Sequence, residues 1–480
     1  MYQQSFLLER TLKMTNDLTK GSPIKQILWF SVPFLIGNLF QQFYNIADMV
    51  IVGQTLDPNA YTAVGATSSL VWFASGAIQS LTAGFSAITA RYFGSRDEEG
   101  IKRSFAASIR LSVIITAILT LICVIFARPF LDLLQTPADI VDRSYRYIIC
   151  IFAGLFVTAL FNLLSNMIRA LGDSKTPLYF LVAACVINII LDFVFIAVLG
   201  MDTEGAGIAT IIAQLISGIL CIVYIVKKQP LLHISSRHFK KDKALDSSLL
   251  KIGIPMAFLN MVLSVGAIIV QFATNNLGTL YVSSYVTASK LETFVTQPLL
   301  SFGSAVSVFA AQNYGAGKYS RVIEGARKTN LIGLIWYVMA SLIMIPLGRF
   351  LILMLNKDID VTIVDNAYKY IVINTLLVFT VSPLIICKSV LQAVGRTTFS
   401  MISGFTEIIG RAGLSIAVVC MMKPYLFGFD IAPILSEPVG FTVMCFATPL
   451  AWTLGTLTVI GDYALMIKKF KKMPDAPDIE

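Results

Sequence analysis

The sequence predicts an all-α integral membrane protein of twelve transmembrane helices, in two six-helix bundles related by a pseudo-two-fold axis along the membrane normal. Three observations predict it. Hydrophobic residues make up 56% of the 480-residue chain and charged ones 14%, with a mean hydropathy of +0.76, far from the balance of soluble domains. Apolar runs long enough to cross a bilayer recur twelve times between clusters of Gly, Pro and charge. The second half also repeats the first. Tyr147 to Gly172 (YIICIFAGLFVTALFNLLSNMIRALG) aligns without gaps on Tyr370 to Gly395 (YIVINTLLVFTVSPLIICKSVLQAVG), Pro33 pairs with Pro255, and Ser86 with Gly94 matches Ser307 with Gly315. Six spans per half is an even number, so both halves cross in the same sense.

Taken in order, residues 1–20 read as a polar, frayed leader. No cleavable signal peptide is visible, because the first apolar run, from about Ile24, is too long and is interrupted by Pro33. Six spans then fall near 24–53, 60–90, 104–127, 141–170, 176–199 and 204–226, forming an N-terminal lobe over 21–228. The stretch 227–251, KKQPLLHISSRHFKKDKALDSSLLK, holds both histidines and reads as a solvated loop, with the linker proper at 229–246. A C-terminal lobe over 247–470 takes spans near 250–278, 280–311, 328–354, 363–393, 397–421 and 439–467, and 471–480 form a tail. Most of the 37 Lys and Arg lie in the leader, the tail and alternate loops, which places both termini in the cytoplasm of a multi-pass cell-membrane protein. That clustering accounts for the net charge of +9 and argues against a nucleic-acid partner. The seven cysteines lie in or beside apolar runs with no CxxC spacing, so they read as small buried residues. Pro33 and Pro255, each in the first span of its half, are candidate hinges, with a static kink as the alternative.

The run Leu181 to Leu199 is apolar except for Asn188 and, one turn on, Asp192, which would sit roughly 12 Å below its end at Gly200. A lone carboxylate there costs several kcal/mol, so it needs a cation, a proton or a partner. Asp48 lies about 8 Å before Gly53, and Thr210 about 9 Å into the sixth span. Asp48, Asn188, Asp192 and Thr210 therefore share one depth. Two carboxylates, an amide and a hydroxyl are hard oxygen donors, suited to Na⁺; the cluster could equally hold H⁺, or be an acid pair satisfied by its neighbours. Gln41, Tyr44 and Asn45 share the Asp48 face and would line a substrate cavity, as would Asn162, Asn166 and Gln214, unless these amides only join helices.

The C-terminal half has a different inventory. Glu407 and Arg411, four residues apart, suggest a structural ion pair on one helix face. Lys290 and Glu292 point to different faces and need other partners, and Lys388 and Arg110 are expected to snorkel.

With these pieces in place the chain resembles the multidrug and toxic compound extrusion (MATE) transporters from about residue 20 to 470. The fragments that carry this are YNIAD (44–48) after Pro33, ITARYFG (88–94), RALGDSKTP (169–177), NIILD (188–192), GAGIAT (205–210) and AAQNYGAG (310–317). In one branch of that family an Asp of the first helix, an Asn and Asp of the fifth and a Thr of the sixth form a cation site in the N-terminal lobe. The resemblance implies that role for Asp48, Asn188, Asp192 and Thr210. The other branch uses acids on the first and fourth helices of the C-terminal lobe, which are missing here. The implied function is a secondary antiporter that exports amphipathic, often cationic, organic compounds in exchange for H⁺ or Na⁺, with no other cofactor and with a monomer sufficient. Alternatives are a lipid-linked precursor flippase of the same superfamily and a major-facilitator carrier, although the latter's signature after the second span is not evident. A channel would also use polar stripes. No HExxH, no GxSxG and no histidine within a span leaves an intramembrane enzyme without its usual groups.

Overall fold

The computed structural model describes residues 17–134, 136–355, 360–428 and 432–477. Most of the expected leader, residues 1–16, lies outside them. Among the described residues there are helices and turns and no strand. The first half comprises α1 (Pro23–Thr55), α2 (Pro58–Gly94), α3 (Glu98–Ile125), the short α4 (Ala127–Leu133), α5 (Val141–Ala153), α6 (Leu155–Ala170), α7 (Lys175–Asp192) and α8 (Thr203–Lys228). The second comprises α9 (Lys243–Asn276), α10 (Thr279–Gly315), α11 (Tyr319–Leu355), α12 (Val361–Leu377), α13 (Val381–Ala393), α14 (Thr398–Met422), α15 (Glu437–Met444) and α16 (Ala447–Phe470). Among the described residues eight helical spans are long and apolar enough to cross a membrane, or up to ten if each of two bent pairs is one span. Apolar side chains left exposed along them, such as Phe193, Ile118 and Leu342, are what lipid contact requires.

Local chemistry sets the helix starts. Pro23 and Pro58 occupy first-turn positions where no N–H is needed. The side chains of Asp57, Asp97 and Asp242 accept hydrogen bonds from the N–H groups of Ala60 (2.9 Å), Gly100 (2.8 Å) and Ala244 (3.0 Å). Helices α1 and α9 run through Pro33 and Pro255 without a break.

Three local departures from straight spans were not expected. The repeat-matched spans 141–170 and 363–393 are each broken, by 46° between α5 and α6 and by 56° between α12 and α13. The first break falls at Gly154, where the side chain of Ile211 occupies the place a Cβ would take. The third departure is at Phe193–Val198, which winds as a π-helix directly after Asp192. Such wide turns free a local carbonyl from its regular partner and are frequent at functional sites.

The ends of α2, α6, α10 and α13 meet on one face, where residues 17–20 and Ala476 also pack. Arg91 Nε and Nη2 donate to Ala393 O (2.9 and 2.6 Å), and Gln312 Nε2 donates to Ala170 O (2.8 Å). In the repeat, Ala170 matches Ala393, and Arg91 and Gln312 stand at the same distance before Gly94 and Gly315. The two contacts are thus the same contact made twice. Gly94 lies against Gln312 O and Gly315 against Arg91 O, so closely that a Cβ on either would overlap the other's backbone.

Residues 17–20, expected to fray with the leader, are folded onto this seam. Leu18 is 1% exposed; its N–H donates to Gln312 Oε1 (3.1 Å), and Asn313 Nδ2 donates to its carbonyl (3.1 Å). The amides of Gln312 and Asn313, already bonded to Ala170 O and Phe309 O of the helices, find further main-chain partners there. The linker also departs from a solvated loop. It forms turns at Pro230–Leu232 and Ser236–Phe239, and His238 is buried with Ser235 N–H donating to its Nδ1 (2.8 Å). Arg110 does not snorkel but pairs with Asp246 at 2.5 Å and donates to Phe239 O, clamping α3 to α9 and the linker.

Candidate functional site

Helices α1, α7 and α8 pack against one another, and their polar residues meet inside the first half. Asp48, Asn188, Asp192 and Thr210 are all buried, Asn188 and Asp192 completely. Asn188 and Asp192 stand one turn apart on α7. With the Asn188 amide turned to the orientation its neighbours favour, its nitrogen donates to Asp192 Oδ2 (3.0 Å) and its oxygen accepts from the Thr210 backbone N–H (3.3 Å). The Asp48 and Asp192 carboxyls lie within hydrogen-bonding reach of each other. Tyr44, one turn before Asp48, shares a hydrogen bond with Thr210 through their hydroxyls (2.8 Å). The four residues grouped by depth are therefore neighbours in space, and Tyr44 joins them.

Asp48 Oδ1 is buried with no hydrogen-bond partner. An oxygen lone pair left this way costs about 1–3 kcal/mol, more when charged. Two carboxyls that share a pocket without a basic residue want a proton between them or a cation beside them. The donors are oxygens, with neither thiolate nor imidazole, which fits a hard monovalent cation or H⁺.

One neighbour was not legible as a site residue. Tyr147, buried on α5, stands within electrostatic reach of Asp48, Tyr44 and Asp192. The signal that could have found it is the repeat, which opens on Tyr147 in one half and Tyr370 in the other. The remaining polar residues of the first half are dispersed. Gln41 is half-buried and Asn45 exposed on α1. Gln214 Oε1 accepts from Thr158 Oγ1 (2.7 Å), and Asn162 Nδ2 donates to the carbonyl of the same Thr158 (2.9 Å). Asn166 Nδ2 donates to Thr82 Oγ1 (3.0 Å), joining α6 to α2, and its oxygen accepts from Arg169 (3.4 Å).

In the second half the expected Glu407–Arg411 pair does not form. Glu407 instead receives Lys388 Nζ at 2.6 Å, both side chains being largely buried. Shared spacing on one helix made Arg411 available, but Lys388 reaches Glu407 directly from α13, and Gly455 on α16 leaves room for the Glu407 stem. Lys388 accordingly does not snorkel, and Arg411 Nε is buried without a hydrogen-bond partner. Glu292 accepts a hydrogen bond from the Tyr370 hydroxyl (2.7 Å). A cavity of about 10 Å³, room for a single water, lies beside this pair and is lined also by Asn374 and Thr375.

A family model described as MatE matches residues 33–194 and 255–416, one stretch in each half. The probable multidrug resistance protein YoeA of Bacillus subtilis (strain 168) is 26% identical over 473 residues, covering 95% of this chain and 96% of its own. The probable multidrug resistance protein YpnP of the same organism is 29% identical over 306 residues, 64% of this chain and 68% of its own. Among solved structures, the outward-facing conformation of a multidrug resistance MATE family transporter of the MOP superfamily shares the fold with a TM-score of 0.84. It is 18% identical, with 95% of this chain and 98% of that one covered.

Proposed function

This chain belongs to the MatE family of multi-pass membrane transporters, and on that premise we propose that it is a secondary antiporter exporting amphipathic organic compounds in exchange for H⁺ or Na⁺. In this reading α1 and α2 complete twelve spans, and the lobes 21–228 and 247–470 are related by a two-fold axis along the membrane normal. Both termini face the cytoplasm. The doubled contact of Arg91 with Ala393 O and Gln312 with Ala170 O supports that symmetry, since one local interaction is made reciprocally by matched residues.

The coupling site is the pocket of Asp48, Asn188, Asp192 and Thr210, as in the branch of the family that binds its cation in the N-terminal lobe. The observation that carries this is the buried, unpartnered Oδ1 of Asp48 beside a second uncompensated carboxyl. A bound proton or Na⁺ removes the repulsion between the acids and draws α1 toward α7 and α8; its departure lets α1 move away. Ion binding can drive the cycle only through such a difference in affinity between two states. Pro33 and Pro255 weaken the first helix of each half where it would bend, and the lobes rock about the seam of Gly94 and Gly315. One pair of lobes encloses a complete path, so a monomer suffices.

Reconstituted protein assayed under separate proton and sodium gradients tests this. Efflux follows one of the gradients in the wild type and is lost in Asp48→Asn and Asp192→Asn while both variants remain monodisperse. Wild-type coupling in both variants would refute the assignment. Whether the exported compound is cationic, as the family resemblance implies, turns on what lines the cleft between the lobes.

A further inference from the structure

We propose that the cleft between α1 and α10 seats an amphipathic organic anion, with its acid group on Lys290. The inference deepens the antiporter reading and rests on it. Lys290 lies eleven residues into α10, about 16 Å from the helix start. It is exposed and, among the described residues, makes no hydrogen bond or ion pair.

The helical period gives its direction. Ser301, three turns on, points within about 20° of Lys290, and the helix continues through Pro298 between them. The Ser301 hydroxyl accepts a hydrogen bond from Asn38 Nδ2 of α1 (3.2 Å). Lys290 and Gln297 share that stripe, so both face α1 across the cleft. On the α1 side, one and two turns on from Asn38, stand Gln41 and the exposed Asn45.

These are neutral amides, and the acids nearby face elsewhere. Asp48 is buried toward α7 and α8. Glu292, two residues after Lys290, is turned about 200° around α10 and occupied by the Tyr370 hydroxyl. The ammonium thus lies at membrane depth with no counter-charge from the protein, in a place open enough for a ligand. A charge so placed is costly unless something pairs with it. Phe294, one turn on and 55% exposed, offers an apolar surface beside the charge. A cation flanked by amides and an exposed aromatic ring recognises a carboxylate, sulfonate or phosphate carried on an apolar body, and repels a quaternary ammonium compound.

The acid group could belong to an exported compound or to an acidic lipid entering from the bilayer; we assign it to the exported compound. The test is equilibrium binding of dansylaminoundecanoate, and of a quaternary ammonium probe with the same chain and fluorophore, to the full-length protein in zwitterionic nanodiscs. No ion gradient is applied, so failure of coupling and failure of this inference are separable. The wild type is expected to prefer the carboxylate by roughly tenfold. Lys290→Arg keeps that preference, Lys290→Met abolishes it and Lys290→Glu reverses it, each variant being checked first for monodispersity. Preference for the cationic probe by the wild type, or carboxylate binding unchanged in Lys290→Met, overturns the proposal. In nanodiscs containing phosphatidylglycerol, carboxylate binding persists if the seat belongs to the exported compound. Its loss in the wild type assigns the seat to lipid and overturns the proposal too.

Discussion

The two halves answer the same problem, acids inside a membrane protein, in opposite ways. Each half opens its repeated segment on a tyrosine beside a carboxyl: Tyr147 near Asp48 and Asp192, Tyr370 on Glu292. In the second half the acids are attended. Lys388 neutralises Glu407 at 2.6 Å, and Glu292 has a hydroxyl donor with Arg411 close enough for its charge to be felt. The first half brings two carboxyls together among an amide, a hydroxyl and tyrosines, and gives them no base. A duplicated scaffold therefore holds one half whose acids are settled and one whose two carboxyls share a pocket without a base. The second half is suited to be the stiff partner and the first to be the responsive one.

The largest effect that could break this contrast is on coupling. Asp192→Asn is expected to lower ion-driven efflux by at least about a hundredfold, the loss of a ligand that carries charge, whereas Glu292→Gln changes it less than about threefold. Equal losses in a proteoliposome flux assay would mean that both halves bind the ion.

Next in size is the stability of the settled half. Lys388→Met alone strands Glu407 and should cost about 3–5 kcal/mol in denaturant unfolding, and replacing both residues by Met should recover most of it. Coupling in the double variant should survive, since neither residue touches the first-half acids.

A smaller effect sharpens the picture of the responsive half. Thr210→Val removes the hydroxyl partner of Tyr44 and one oxygen from the pocket, and is expected to weaken apparent ion affinity roughly tenfold, with Thr210→Ser close to wild type. The readout is the ion concentration that gives half-maximal efflux.

The smallest effect lies at the ends of the helices. Arg143 donates to both oxygens of Asp57 (2.8 and 2.7 Å) and to Asp202 (3.0 Å), tying the turn before α2 to the turn before α8. Arg143, with help from the Ala60 N–H, holds the Asp57 carboxyl below the usual carboxylate range. Because the folded value is the depressed one, this stabilisation is complete above the ordinary Asp value of about 3.9 and fades as pH falls through the folded value beneath it. The bridge is half-exposed, so Arg143→Met should lower the melting temperature by no more than roughly 2 °C at neutral pH, with the difference vanishing in strong acid.

Much of the responsive half was legible in the sequence because its signal is local and severe. An acid inside an apolar run has few explanations, and Asn188 four residues before Asp192 fixes their shared face. Residues placed by depth alone, Asp48 and Thr210, landed in the same pocket because helices crossing one bilayer share a ruler. Partner choice across helices was not legible. Glu407 had a plausible base on its own helix, but the one it uses lies on α13, and nothing in spacing reports that approach. Broken spans were hidden for a related reason: continuous hydropathy over 141–170 and 363–393 carries no mark of a 46° or 56° bend. Leu18 was hidden by its polar neighbours, since the amides of Gln312 and Asn313 that hold it lie almost three hundred positions away.

The glycine seam has a mechanical consequence. Gly94 and Gly315 each press on the other helix's peptide groups, with no side chain between the two backbones at that point. Backbones apposed this closely are together or parted, and packed interfaces of this kind favour two discrete arrangements over a continuum. On the rocking proposed above, a gate that cannot stand ajar would pass little uncoupled solute. Adding one methyl group, as in Gly94→Ala or Gly315→Ala, should wedge it and turn a tight exchanger into a leaky one.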